Sequence, residues 1–450
     1  MRDDQASDNP AREVIAQSPM SLLQFLVVGL CCLINMSEGY DVLSLGLAAP
    51  ELTKEWSVSP EILGLAFSAT SVGLALGAFF VAPVADRVGR RTVILAAVAI
   101  ITVVHWLSAI AGSIWVILAL RFVMGLGLGT LVVSLNVMVS EFSNERWRNL
   151  LIASLHTGFS IGMALSGLVA ANVLDTLGWR YIFVAGGVLN CVVLILGYFF
   201  LLESPEYLTS QQPRNALQRI NKVLGKLNFT QLDALPPKKV KTKGKPSFAL
   251  LLSEGMRTQT ILIWVASFAY AIVGYFLMNW KPQVLVNAGL TPVMASYVGV
   301  LNGVFGVVGH ISIAILTKWF DNVKLTAAYF ALLTVALIFF GMAPPAPWLL
   351  LTTAGVMTMF TVGAYTGVFL VAINIYTVEM RNTGVGYIVG WGRVGSILGP
   401  MLGGLLVGAG LGRMSVFAVF AVISVIPALT MLLAGGGRLT ADEEAEQATA

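Results

Sequence analysis

Two carboxyls sit three residues apart inside the first apolar stretch of the chain, in Asn35-Met36-Ser37-Glu38-Gly39-Tyr40-Asp41. On a helix that spacing projects both from neighbouring positions on one face. A charge at membrane depth costs at least about 2.5–3.5 kcal/mol, so this face must look into protein or water, and carboxyls placed in this way can exchange a proton near neutral pH. Arg121 and Arg393 interrupt two later apolar stretches. With the first helix ending near residue 47 and the fourth running against it, Asp41 lies about 9 Å, Arg121 about 12 Å and Glu38 about 14 Å from the same boundary. Arg121 is then a counter-ion for either carboxyl, and the plainer alternatives are a static buried ion pair or carboxyls wetted by the outer interface. Arg393 lies about 15 Å from the inner boundary, with no acidic residue of its own half at that depth. A guanidinium there suits bidentate pairing with a carboxylate; hydrogen bonding to helix-end carbonyls is the alternative. Tyr387 and Trp391 flank it in sequence, and Tyr270, Tyr275 and Trp280 occupy the seventh apolar stretch. Such rings stack on a ring ligand or anchor helices at the interface.

These charges stand out because the rest of the chain is so apolar: of 450 residues, 57% are hydrophobic and 11% charged, with mean hydropathy +0.83, against about 25% charged in a soluble chain. Stretches long enough to span a bilayer as helices are predicted at 22–47, 61–84, 92–111, 113–138, 149–172, 179–202, 258–281, 294–319, 323–343, 347–376, 383–408 and 412–435. The short alternating segments of a membrane barrel are missing, so the expected fold class is an all-α membrane protein, whose 45 glycines let helices approach closely. A polar segment, 203–257, divides the chain into an N-terminal six-helix bundle (1–202, with a polar tail 1–20) and a C-terminal one (258–450, with a polar tail 436–450). The first apolar run is too long for a cleaved signal peptide. Of the 27 basic residues, 21 fall on one side, four on the other (Lys54, Arg180, Lys281, Arg413) and two within helices, which orients both termini and the 203–257 loop to the cytoplasm. That loop, with Lys238, Lys239, Lys241, Lys243 and Lys245, reads as a solvated linker along the inner leaflet. Asn136-x4-Glu141 near the end of the fourth helix recurs as Asn374-x4-Glu379 near the end of the tenth, as a duplicated six-helix unit requires. Cys31, Cys32 and Cys191 read as buried free thiols, and His105, His156 and His310 as packing residues, none having an acidic partner nearby in sequence. No metal cluster or nucleophile motif emerges, so neither a cofactor nor an enzyme is expected, and no nucleic-acid partner.

Ala82-Pro83-Val84-Ala85-Asp86-Arg87-Val88-Gly89-Arg90-Arg91 resembles the signature loop of the major facilitator superfamily, with Ala82 where Gly is usual. Arg121-x3-Gly125-x-Gly127-x-Gly129 is similar to its fourth-helix motif, and Glu203-Ser204-Pro205-Glu206 to the segment closing its sixth helix. The resemblance implies the major facilitator fold, two six-helix bundles around a central cavity, with Asp86 and Arg87 in a cytoplasmic latch. Arg90, Glu141 and Glu379 are grouped with them as gating residues. Lys318 and Trp319 stand where the second-half latch expects an acidic and a basic residue, and Asp321 is either a compensating charge or an ordinary loop one. Within the superfamily, Glu38-Gly39-Tyr40-Asp41 and Gly392-Arg393-x-Gly395-Ser396-Ile397-Leu398-Gly399 resemble segments of the bacterial aromatic acid:proton symporters, with Glu38 replacing the usual Asp. That family implies a monomeric inner-membrane carrier in a lipid bilayer, importing a small aromatic carboxylate with protons. In it Asp41, Glu38 and Arg121 would couple protons, and Arg393, Tyr387, Trp391 and Tyr270 would bind substrate. The rivals are a proton-coupled exporter of hydrophobic cations or drugs and a receptor without net transport.

Overall fold

The computed structural model describes residues 10–237, 251–253, 256–376 and 378–449. Lys238, Lys239, Lys241, Lys243 and Lys245, and the side chains of Asn374, Glu379 and Arg381, lie outside the described residues. Twelve long helices cross in alternating directions: α1 (Leu22–Trp56), α2 (Pro60–Val88), α3 (Arg90–Ala109), α4 (Ile114–Phe142), α5 (Arg148–Val173), α6 (Arg180–Phe200), α7 (Arg257–Asn287), α8 (Pro292–Leu316), α9 (Asn322–Met342), α10 (Pro347–Ile375), α11 (Val378–Gly408) and α12 (Arg413–Thr449). All but α11 meet the length and hydropathy of a membrane span, α12 through Ala434; α11 has 31 residues. The short helix Pro10–Gln17 and the helices Pro205–Ser210 and Ala216–Lys226 between α6 and α7 gather at one end of the bundle, here the termini end.

Several boundaries differ from the sequence reading for local reasons. α1 continues through Pro50 to Trp56, where Ser57 takes a left-handed conformation (φ 50°) that ends it. The boundary taken near residue 47 is therefore nine residues short, and Glu38 and Asp41 sit deeper than that boundary implied. α7 likewise runs through Pro282 to Asn287, which brings Lys281 inside a helix; it does not sit among the loop charges. α2 tightens and loosens near its end, with a π turn at Gly77–Val81 and a 3-10 turn at Ala82–Val84 around Pro83. The 203–257 segment is not a plain solvated linker. Pro205–Ser210 and Ala216–Lys226 are helices, and Ile220, Val223, Leu224 and Leu227, at helical spacing, pack with Leu208 and with Ala11 and Ile15 of a short helix at Pro10–Gln17. Asp321 caps α9, accepting from the backbone N of Val323 and Lys324 at 3.0 Å each.

α1 to α6 pack mainly among themselves, as do α7 to α12, and four seams join the two sets: α2 with α11, α5 with α8, and α1 with α7 and α8. Several close approaches lie at the end away from the termini. A Cβ on Gly64 would meet Pro400 O at 2.8 Å and Gly404 Cα at 3.2 Å; one on Gly167 would meet Gly299 Cα at 2.7 Å. Ser68 Oγ donates to Ile397 O at 2.7 Å across the α2–α11 seam. The far end is thus held shut by backbone-to-backbone contact that side chains would wedge apart. Gly404→Leu, whose Cβ would stand 2.6 Å from Pro60 O, is expected to disfavour the closed far end by about 1–3 kcal/mol. The check is the rate at which a membrane-impermeant maleimide applied at the far end labels a cysteine at cavity-lining Val42, in a background lacking the three native thiols. Labelling no faster than with Gly404 intact would refute the seam as the closing element.

Candidate functional site

Between the two sets lies a cavity of about 270 Å³, lined from both. Its level can be read from the α1–α7 seam: Gly46 packs on the backbone of Asn279, and eight residues back along each helix stand Glu38 and Ala271. Gly392 and Gly395 of α11 also pack against Ala271, so Glu38 and Arg393 share that level from opposite halves. Both line the cavity. Glu38 is 2% exposed, and its Oε2 has no hydrogen-bond partner. Arg393 is half-buried, donates from Nη1 to Tyr275 Oη at 2.9 Å and leaves Nε unpartnered. Among the described residues it has no ion-pair partner.

The ring wall is built by α7 and α10, where Tyr270 and Tyr365 stack with centroids 5.1 Å apart, both lining the cavity with Tyr275. Tyr387 and Trp391 stand elsewhere. They pack on Trp264, at 5.3 and 6.2 Å, on an exposed face of α11. Two residues correspond to about 200° around a helix, so Trp391 and Arg393 point nearly opposite ways.

Asp41 is fully buried behind the cavity and is not part of its wall. Its Oδ1 lies 2.6 Å from His105 Nε2 on α3 and accepts from Asn190 Nδ2 on α6 at 2.9 Å, while Oδ2 is unpartnered. Arg121, 1% exposed, reaches Asp41 through its main chain: Nη1 donates to the Asp41 carbonyl at 3.0 Å and Nη2 to Ser44 Oγ at 3.0 Å, under a cation–π contact with Phe183 at 5.0 Å. The pairing expected between Arg121 and a carboxylate is instead a pairing of His105 with Asp41.

Lys281, 2% exposed, also lines the cavity, with Nζ donating to Asn302 Oδ1 on α8 and Thr358 Oγ1 on α10 at 2.5 Å each and to Ala354 O at 3.4 Å. His156 and His310 face the cavity from α5 and α8, the latter bonded to Thr366 Oγ1 at 2.8 Å.

Of the residues grouped for gating, Asp86, Arg90 and Glu141 form a cluster at the termini end of the first set. Arg90 is ion-paired with Glu141 and, at 3.4 Å, with Asp86; Ser204 donates to Glu141, and Glu203 Oε1 accepts from Arg91 N at 3.0 Å. Arg87 is exposed, and its carbonyl accepts from Tyr207 Oη at 3.3 Å. Arg90 and Glu141 are 13% and 6% exposed, and without Glu141 the half-buried guanidinium keeps only the longer ion pair with exposed Asp86. Glu141→Ala is expected to lower the stability of the purified protein by about 3 kcal/mol. Its melting temperature in detergent checks this, and an unshifted Tm would mean that the pair contributes nothing.

The chain matches the Major Facilitator Superfamily over residues 31–380. It is 30% identical to the 4-hydroxybenzoate transporter PcaK of Pseudomonas aeruginosa over 94% of each chain, and 30% identical to a gallate transporter of Pseudomonas putida over 96% of each. Among solved structures it resembles the inward-open xylose transporter XylE from E. coli (TM-score 0.69, 18% identity, 91% of this chain and 95% of that one). It also resembles an inward-facing bacterial homologue of the lysosomal transporter Spinster (TM-score 0.66, 15% identity, 93% and 97%). A helical bundle with paired halves, a cavity between them and relatives of this kind identify the chain as a member of the major facilitator superfamily of membrane transporters, related within it to bacterial carriers of aromatic acids.

Proposed function

We propose that the protein imports a small aromatic carboxylate together with protons by alternating access, from the bacterial inner membrane, with both termini in the cytoplasm. The observation that carries this reading is Arg393, a cation in a central cavity with no ion-pair partner among the described residues, facing the orphaned carboxyl of Glu38 from the other half. A substrate carboxylate pairs with the guanidinium, and its ring lies against Tyr270, Tyr275 and Tyr365. With the substrate anion seated, a charged Glu38 at the same level repels it, so occupancy favours the protonated carboxyl. The proton and the substrate then load together, which is what symport requires. Asp41, joined to His105 and Asn190 behind the wall, is the second proton-exchanging group, and Arg121 fixes the backbone from which both carboxyls project.

In this orientation the cavity is closed outside by the glycine seams and faces the cytoplasm. That is the state which releases substrate inward. Relatives transporting 4-hydroxybenzoate and gallate support the substrate class. The rival, an exporter of hydrophobic cations, would need cargo to sit beside Arg393 and Lys281, two cations in the cavity wall. The test is uptake of radiolabelled aromatic carboxylates into cells expressing the protein, with and without an uncoupler. Saturable, uncoupler-sensitive uptake is expected; no uptake, with resistance to a lipophilic cation instead, would favour the exporter.

A further inference from the structure

We propose that Lys281, with Asn302 and Thr358, forms a second polar subsite at the closed end of the cavity, one that takes an acceptor oxygen on the ring edge opposite the carboxylate held at Arg393. This rests on the carboxylate reading of Arg393 and adds a specificity determinant to it. The ligand class is a single-ring acid bearing either a hydroxyl or a second carboxylate across the ring.

Lys281 is a cation buried at membrane depth, where charge is costly. Its neighbours are an amide oxygen, a hydroxyl and a carbonyl drawn from α8 and α10, and none of them is an anion. Neutral dipoles hold the ammonium without neutralising it, and the third of its donors is spent on a long bond, 3.4 Å to Ala354 O. A ligand oxygen that replaces that weak partner gains a charge-assisted bond. Thr358 Oγ1 has two acceptors within reach, Asn302 Oδ1 at 2.7 Å and Ala354 O at 3.1 Å, so its hydroxyl can turn as an oxygen arrives. Three side chains from three helices therefore converge on one point in the cavity wall.

The placement along α7 fits a single ring. Tyr275, the hydrogen-bond partner of Arg393, and Lys281 are six residues apart, about 9 Å along the axis. The wall near them includes Phe67, Phe159, Leu277 and Met278, which suits a flat apolar body with polar groups at its two ends. A buried ammonium that gains a bond only from ring-substituted acids discriminates against the unsubstituted one.

The experiment is equilibrium binding of benzoate, 4-hydroxybenzoate and terephthalate to the full chain in nanodiscs, repeated with Lys281→Met and Thr358→Val. The unmodified protein is expected to prefer one of the substituted acids to benzoate by about tenfold, and which one wins distinguishes a ring hydroxyl from a second carboxylate. Lys281→Met is expected to erase that preference, weakening the substituted acid about tenfold more than it weakens benzoate. Thr358→Val, which keeps the cation, should weaken the preference in the same direction and serves if the Met variant does not fold. Equal binding of all three acids by the unmodified protein, or an unchanged preference in the variants, overturns the subsite alone. Failure of all three acids to bind overturns the carboxylate reading and the subsite with it.

Discussion

Arg393→Ala is expected to abolish saturable uptake of aromatic carboxylates, with the affinity of the purified protein for the acid falling roughly 100-fold, about 3 kcal/mol. The guanidinium offers a planar fork whose geometry matches a carboxylate, and a side-chain bond from Nη1 to Tyr275 Oη helps to hold it in place. Arg393→Lys keeps the charge but loses the fork, so it should restore only part of the affinity. Tyr275→Phe keeps both and loses the bond that aims the fork, a change of about 1 kcal/mol. This graded series separates recognition from folding, because a merely structural arginine would show its effect in melting temperature and not in affinity. Binding of the acid by Arg393→Ala at the strength seen with Arg393 would remove the guanidinium from the site.

The two cavity charges facing each other were legible in the sequence because each interrupts an apolar run, and the energetic cost of such an interruption is itself the signal. Lys281 carried the same signal but stood next to Pro282, where a helix would ordinarily stop. Only the continuation of α7 to Asn287 shows that it is buried. His105 could not be matched to Asp41 from spacing, since the partners are 64 residues apart on different helices. Depth along the helices could have suggested it, had the end of α1 been placed at Trp56. Tyr387 and Trp391 illustrate the opposite error: adjacency in sequence to Arg393 says little on a helix, where the position two residues away faces the other side. Tyr365, on a helix whose sequence holds no charge at that depth, became visible only when its ring was found stacked on Tyr270.

The placement of the charges across the two halves bears on coupling. Glu38 belongs to the first set of helices and Arg393 to the second, at one level, and the far end above them is closed by contact between the same two sets. Any rocking of one half against the other must change the distance between the two charges. A substrate carboxylate between them shields that attraction, and a proton on Glu38 removes it. Under the proposed symport, substrate and proton act on one electrostatic tie that spans the interface, which would link their loading to the change of access without a separate relay.

Glu38→Gln tests that linkage most directly. The amide imitates the protonated carboxyl in shape and charge but cannot give its proton up. Substrate binding should survive, because the anion at Arg393 no longer meets a negative neighbour, and exchange of labelled for unlabelled substrate across the membrane should continue. Accumulation against a gradient should collapse to equilibration, and the residual uptake should lose its sensitivity to an uncoupler. Asp41→Asn makes a contrasting case. Its carboxyl lies behind the wall, bonded to His105 and Asn190, so the substitution disturbs a buried polar network and should slow exchange as well as accumulation. The decisive comparison is the ratio of accumulation to exchange in vesicles with an imposed proton gradient. If Glu38→Gln lowers that ratio sharply and Asp41→Asn lowers both terms together, Glu38 is the coupling carboxyl; concentrative uptake persisting in Glu38→Gln would transfer that role to Asp41.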